Sequence, residues 1–178
     1  AEKSAAAQAL VWLLTGENAA AERAVATMRS YRFPGEVDTF HTYFTLTQFA
    51  LTYDWLHDFD GFTPQIRSEI RTNVLPLAKR GLKDADDHVF HNYIWMSAGG
   101  VALWSLATAG EDEQAGQLFE QIRRRFNTGL FPAWRYLDGL PSEPMGYWAL
   151  YVFSPGVLTL LAAQSAFESD LLGKIHES

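Results

Sequence analysis

Cysteine is absent from this chain, and its absence limits the chemistry available to the protein. Disulfide bonds and thiolate metal sites are excluded, because both require the cysteine sulfur. The absence does not identify the redox compartment, since proteins of reducing and of oxidising compartments both include chains without cysteine.

Basic residues are also scarce: 14 lysines and arginines stand against 21 aspartates and glutamates, which gives a formal net charge of -7. A protein that binds nucleic acid or another polyanion over a broad surface is usually basic, so we expect no nucleic-acid partner. An anionic ligand would instead have to be bound by a local cluster of donors.

Signatures of metal binding and of nucleophilic catalysis are missing as well. His88 and His91 are three residues apart, but no convincing third metal ligand stands near them. No serine lies in the pattern of a nucleophile elbow. We therefore predict neither a metal nor a cofactor.

A membrane span is not expected, because no run of about twenty uniformly apolar residues stands out. Residues 1–16 look at first like a secretory signal, but Glu2 and Lys3 precede the apolar part and no small-residue cleavage site follows it. We predict an amphipathic helix there, and we expect the chain to begin inside a fold.

What the chain does contain is a large share of aromatic residues: 6 Trp, 7 Tyr and 12 Phe among 178 residues. The length is sufficient for one domain with a substantial core, by the rough guide of 100 to 200 residues per domain. Aromatic side chains fill such cores, and they also form platforms for sugar rings.

Helical periods and capping signals recur along the chain, and no reliable strand pattern does. We predict helices at about residues 2–14, 18–30, 39–57, 63–82, 92–110, 111–126 and 145–167, with a polar turn at 84–88 and a long loop at 127–144. The predicted fold is all-α, with antiparallel helical hairpins in one domain over residues 1–178.

The stretch from His88 to Leu106 is the most informative part of the sequence. The pair His91-Asn92 precedes a helical apolar pattern, so it is predicted to lie at a helix N-terminus, where backbone N–H groups attract anions such as carboxylates. Asn92 could equally serve only to cap that helix. Gly99 and Gly100 lie in the helix interior, where each costs roughly 1 kcal/mol relative to Ala, and close helix packing is the expected reason.

Three groups of polar and aromatic residues fall at predicted helix starts or in the long loop, and we expect them to converge on one cleft. They are His88, His91 and Asn92; Trp134, Arg135 and Tyr136; and Glu143, Tyr147 and Tyr151. Each has a simpler alternative role. Tyr147 and Trp134 would suit a core, and Arg135 would suit a surface ion pair.

These residues resemble a known family. Residues 13–25, 38–58, 62–71, 91–107 and 136–162 are similar to the helical toroid of the heparinase II/III-like and alginate-lyase-like polysaccharide lyases. The most specific parts are the Asn-led, glycine-containing helix and the Asp-Gly, Glu and Gly-Tyr-Trp elements of residues 138–148. The resemblance implies a partial (α/α) toroid that cleaves a uronate-containing polysaccharide by β-elimination.

The resemblance also implies roles for individual residues. Asn92 would neutralise the uronate carboxylate, and Tyr147 would abstract or donate a proton, with His91 as a further catalytic candidate. Residues proposed to bind the substrate are Tyr93, Trp134, Arg135, Glu143, Tyr151 and His88. Tyr93 stands where many members have His, so the second acid or base is not identified. Residues 143–145 replace the usual Glu-Gly-Pro with Glu-Pro-Met.

The family's toroid is commonly followed by a β-sandwich that contributes to the site, and this chain lacks it. The resemblance therefore implies that the remainder of a larger polypeptide is a partner, that the chain alone is weak or inactive, and that the protein is periplasmic or secreted. Two other functions stay open. One is a glycoside hydrolase, for which Asp138 and Glu143 form the obvious carboxylate pair. The other is a carbohydrate-binding helical scaffold without chemistry.

Overall fold

The computed structural model describes residues 4–87, 91–136, 138 and 144–167, and within these ranges it is all-α with no strand, as predicted. The α-helices are α1 (Ala5–Thr15), α2 (Asn18–Ser30), α3 (Thr39–Trp55), α4 (Pro64–Asp87), α5 (Asn92–Ala107), α6 (Glu113–Arg125), α7 (Phe131–Tyr136), α8 (Met145–Trp148) and α9 (Ser154–Phe167). Two π-helical turns, Phe126–Leu130 and Ala149–Phe153, precede α7 and α9.

The helix boundaries follow local capping chemistry. Ser4 accepts a bond from the Ala7 amide at the start of α1, and Gly16 ends that helix with φ of 72°. Asp38 caps α3 by accepting a 2.7 Å bond from the His41 amide. These interactions satisfy amides and carbonyls that a helix end leaves unpaired, which is why the sequence located these ends closely.

Helix α4 is longer than predicted, because the turn expected at residues 84–88 is helical as far as Asp87. The polar sequence suggested solvent, but Asp84 is 5% exposed and its carboxylate bonds Arg80 at 2.8 Å. An ion pair four residues apart on one helix face supports helix rather than turn. His88 lies outside the described residues.

The prediction of a long loop at residues 127–144 is wrong for residues 127–136. The π-helical turn and α7 continue the chain as helix to Tyr136, and Leu130 is 4% exposed. The Phe126 ring lies 5.8 Å from Trp95 of α5 and 5.5 Å from Phe131, so aromatic packing holds this segment against the core. Glycine and proline content suggested a loop, but Pro132 occupies the first turn of α7, where a proline is tolerated.

The helices form two layers. In one layer α1 contacts α3, α3 contacts α5, and α5 contacts α9; in the other α2 contacts α4, and α4 contacts α6. The Phe40 ring lies 5.9 Å from Tyr93, and the Tyr53 ring 5.5 Å from Trp104. Early residues of α3 thus pair with early residues of α5, and late with late, so these helices are parallel neighbours. Their N-termini lie at one end of the layer, which we call the upper rim.

The two glycines of α5 lie against two different helices. A Cβ atom on Gly100 would lie 3.4 Å from the Tyr43 Cα of α3, and one on Gly99 would lie 3.1 Å from the Thr159 Oγ1 of α9. The predicted close approach is confirmed, since α5 lacks side chains where both neighbours come nearest.

The opposite end of the helices is joined by a polar cluster on Glu111, in the turn between α5 and α6. Tyr53 donates a 2.7 Å bond to the Glu111 carboxylate, and Arg71 bonds both groups. Arg67 approaches the same carboxylate at 3.4 Å. Burial and the bond to Glu111 raise the pKa of Tyr53, against the opposing effect of Arg71. The cluster ties α3 and α4 to the α5–α6 turn.

Both edges of the first layer expose apolar side chains. On α1, Leu13 is 51% exposed and Leu14 is 75% exposed; at the other edge, Leu150 in the π-helical turn is 64% exposed and Leu161 on α9 is 48% exposed. Helix faces of this kind are normally covered by a further helix.

One segment of the described residues is long and apolar enough to cross a membrane, so the expectation of no membrane span stays a prediction. Ala149–Phe167 is a continuous helical segment of 19 residues, apolar enough to cross a bilayer, and 28% of it is buried. Core helices meet the same criteria, so length and composition alone do not assign this segment to a membrane.

We expect Gly100→Val to lower the free energy of unfolding by about 1–3 kcal/mol, because its side chain would meet the α3 backbone in a packed interior. Gly116→Val is the matched control, since Gly116 is exposed within α6 and a Cβ there has nothing within 4 Å. Urea unfolding measures both. Equal losses in the two variants would contradict the role assigned to Gly100.

A second expectation concerns alkaline pH. Unfolded tyrosine ionises near pH 10, whereas folded Tyr53 keeps its proton to higher pH, so its contribution to stability is present below about pH 10 and is lost as pH rises further. Tyr53→Phe should make the decline in unfolding free energy shallower, by up to about 1.4 kcal/mol per pH unit. Tyr136→Phe, at an 87% exposed position, is the control. Urea unfolding from pH 9 to 12 in both variants checks this; parallel declines would refute it.

Candidate functional site

The N-terminus of α5 is capped by His91. Its side chain accepts a 3.3 Å bond from the Tyr93 amide, and this requires an unprotonated Nδ1. Asn92 is the first helical residue and is 1% exposed. The polar pair therefore lies at a helix start, as predicted, but the cap is His91 rather than Asn92.

Several predicted site residues meet in a continuous series of ring contacts at the upper rim. Centroid distances are 4.2 Å from His91 to Tyr93, 5.9 Å from Tyr93 to Phe40, 5.2 Å from Phe40 to Tyr151, and 5.3 Å from Tyr151 to Tyr147. We call these five residues the aromatic row. It joins the N-termini of α3 and α5 to the segment that leads into α9.

The row opens to solvent at both ends. Tyr147 is 52% exposed and His91 is exposed, whereas the three rings between them are partly buried. The alternative of a core tyrosine at position 147 is therefore wrong. Tyr151 belongs to a π-helical turn, an irregularity that occurs frequently at functional sites.

The remaining predicted residues are not shown to join the row. Arg135 is exposed in the last turn of α7 and forms no ion pair with another described residue. Tyr136 is 87% exposed. The side chain of Trp134 lies outside the described residues, as do His88 and Glu143 entirely, so their roles stay predictions.

Sequence reasoning missed Phe40, the ring at the centre of the row. Phe40 is the second residue of α3 and is partly buried, whereas its neighbour His41 is exposed. The Asp38 capping signal placed Phe40 in the first helical turn. What the sequence could not supply is the parallel packing of α3 and α5, which brings that turn to Tyr93.

Other features of the described residues do not add chemistry to the row. No group of three histidine, aspartate or glutamate side chains in the described ranges could hold a metal ion. A cavity of about 400 Å³ lies at the other end of α5, lined by residues 109–113 and Gly116. The groups that the row offers are phenol, imidazole and aromatic faces, which suit proton transfer and stacking against sugar rings.

Comparison of the chain with protein-family models, with curated proteins and with solved structures finds no match. The resemblance to polysaccharide lyases therefore rests on the sequence motifs alone.

The cap on α5 can be tested by stability. His91→Ala should lower the free energy of unfolding by about 0.5–2 kcal/mol, because the Tyr93 amide loses its acceptor. His91→Ser also removes the imidazole but supplies a favourable N-cap oxygen, so it should retain or exceed the original stability. Denaturant unfolding of the pair isolates the cap. If both variants lose the same free energy, the ring contact with Tyr93 matters and the cap does not.

Proposed function

We propose that this chain is the helical domain of a polysaccharide lyase that cleaves a uronate-containing chain by β-elimination. The observation that supports it best is the aromatic row, which sets an exposed phenol, an imidazole and further rings on one rim beside the N-terminus of α5. Such a rim offers a base, stacking surfaces for sugars and a positive helix end for a carboxylate.

In the proposed reaction, the Tyr147 phenolate removes the proton on C5 of the uronate, and the electron pair forms the C4=C5 double bond as the C4–O bond breaks. The leaving oxygen takes a proton from the Tyr147 phenol that has just formed, which restores the phenolate. Charge builds on the uronate carboxylate in the transition state, so donors directed at that group accelerate the reaction. The positive end of the α5 dipole and the Asn92 amide are the groups that we assign to it.

The burial of Asn92 adds a condition to this proposal. At 1% exposure its amide is covered, so contact with a substrate carboxylate requires the covering groups to move when the substrate binds. Tyr147, at 52% exposure, is accessible without such a change. Substrate contact therefore requires a conformational change at Asn92 but not at Tyr147.

Activation of the phenol also needs a positive charge, because a phenol in water ionises near pH 10. Arg135 and a protonated His91 are the residue types near this part of the sequence that could supply such a charge. The His91 cap favours an unprotonated Nδ1, and so a neutral ring. We therefore propose that the activating charge comes from another part of a larger polypeptide.

A binding module without chemistry is the second candidate, because an exposed row of rings also suits sugar binding alone. The two functions differ in product. A lyase releases an oligosaccharide with a C4=C5 double bond that absorbs in the ultraviolet, whereas a binding module retains oligouronates unchanged.

The decisive assay follows ultraviolet absorbance with alginate, heparan, chondroitin and hyaluronan, using this chain and any longer polypeptide that contains it. Tyr147→Phe should lower turnover by at least about 10²-fold with little change in stability, because the side chain is half exposed. Asn92→Ala should lower turnover by about 10²- to 10³-fold if its amide meets the carboxylate.

Tyr136→Phe is the matched control, because Tyr136 is also an exposed tyrosine but lies outside the aromatic row. The turnover of this variant should be unchanged. Near-normal turnover in Tyr147→Phe would remove that residue from the mechanism. If Asn92→Ala loses stability but not turnover, Asn92 is structural. Binding of oligouronates without any absorbing product would support the binding module instead.

A further inference from the structure

The aromatic row depends on a ring that comes from a helix outside the predicted site. Phe40 belongs to α3, whereas Tyr93 belongs to α5 and Tyr151 to the π-helical turn before α9. The Phe40 ring meets Tyr151 at an interplanar angle of 90° and Tyr93 at 83°. Two edge-to-face contacts, a favoured arrangement of aromatic pairs, therefore share one phenyl ring.

Phe40 is held by the start of its own helix. Asp38 caps α3 through the His41 amide, and Thr39, between the cap and Phe40, is 6% exposed. The backbone on both sides of Phe40 is thus fixed by a hydrogen bond and by packing. A partly buried ring on such a support can orient the rings that touch it.

Tyr151 has a less regular support. It lies in the middle of the five-residue π-helical turn Ala149–Phe153, whose wider hydrogen-bond ring redirects side chains relative to an α-helix. Its ring touches Phe40 on one side and Tyr147 on the other, at 5.2 Å and 5.3 Å. An effect of Phe40 on Tyr151 is therefore passed on to the exposed phenol of Tyr147.

We propose that Phe40 is a positioning residue of the site, which fixes Tyr151 and Tyr93 and, through Tyr151, the Tyr147 phenol. Phe40 acts through other rings rather than on the reacting atoms. The inference rests on the proposed function in one respect, namely that Tyr147 is the group that takes the proton. A displacement of about 1 Å at a reacting group is enough to lower a rate by about 10²-fold.

The first test is kinetic. Phe40→Leu keeps an apolar side chain but removes the ring, so it should lower kcat by at least about tenfold while KM changes by less than about threefold. Phe40→Tyr keeps the ring and should restore kcat. Phe44→Leu is the matched control, because Phe44 lies one turn later on α3, is 49% exposed, and stacks on Tyr43 rather than in the row.

The second test does not need activity. In protein with isotope-labelled tyrosine rings, the NMR cross-relaxation peak between Tyr147 and Tyr151 should weaken or vanish in Phe40→Leu and persist in Phe40→Tyr and Phe44→Leu. The 5.3 Å centroid separation places ring protons within range of this measurement. The peak therefore reports the arrangement of the two phenols directly.

The outcomes separate this inference from the proposed function. Retention of the Tyr147–Tyr151 peak, or of kcat, in Phe40→Leu would overturn the role of Phe40 even if the protein is a lyase. If neither the unmodified chain nor a longer polypeptide that contains it turns over a uronate polysaccharide, the lyase proposal fails. The NMR comparison then decides the positioning role alone, with loss of the peak supporting it and persistence refuting it.

Discussion

The packing of α5 between α3 and α9 is the constraint on which the rest of this structure depends. Helix axes approach most closely where side chains are absent, and α5 presents Gly100 to the Tyr43 backbone and Gly99 to Thr159. A glycine in a helix interior costs roughly 1 kcal/mol relative to alanine, so this approach must contribute more than the pair of glycines loses. Two adjacent glycines thus allow α5 to approach α9 on one side and α3 on the other.

Parallel packing of α3 and α5 has a direct chemical consequence. It places two helix N-termini side by side, so the first turns of both helices contribute to the upper rim. His91, Tyr93 and Phe40 come together for this reason, and the π-helical turn before α9 adds Tyr151 and Tyr147. At the other end, the Glu111 cluster with Tyr53 and Arg71 holds the helices in register. Packing between α3, α5 and α9 thus holds the residues of the upper rim together. Hydrogen bonds at the opposite end of the helices fix α3 and α4 to the α5–α6 turn.

The layer that supports the rim is open at its edges. Leu14 on α1 and Leu150 and Leu161 beside α9 expose surface that an adjacent helix would normally cover. A closed toroid is therefore a proposal about a larger assembly, whereas the two-layer array is what these residues form.

The sequence by itself determined the all-α class, most helix boundaries, the helix start at His91-Asn92 and the reason for the double glycine. Each of these depends on neighbours within about four residues, where capping and periodicity act. It misjudged residues 84–87 and 127–136, because burial of Asp84 and packing of Phe126 on Trp95 override their polar or glycine-rich composition. Only the tertiary structure decided that Asn92 is covered, that Tyr147 is exposed, and that Phe40 completes the row. Those outcomes depend on which helices lie side by side, and local sequence carries no measure of a contact between residues more than fifty positions apart.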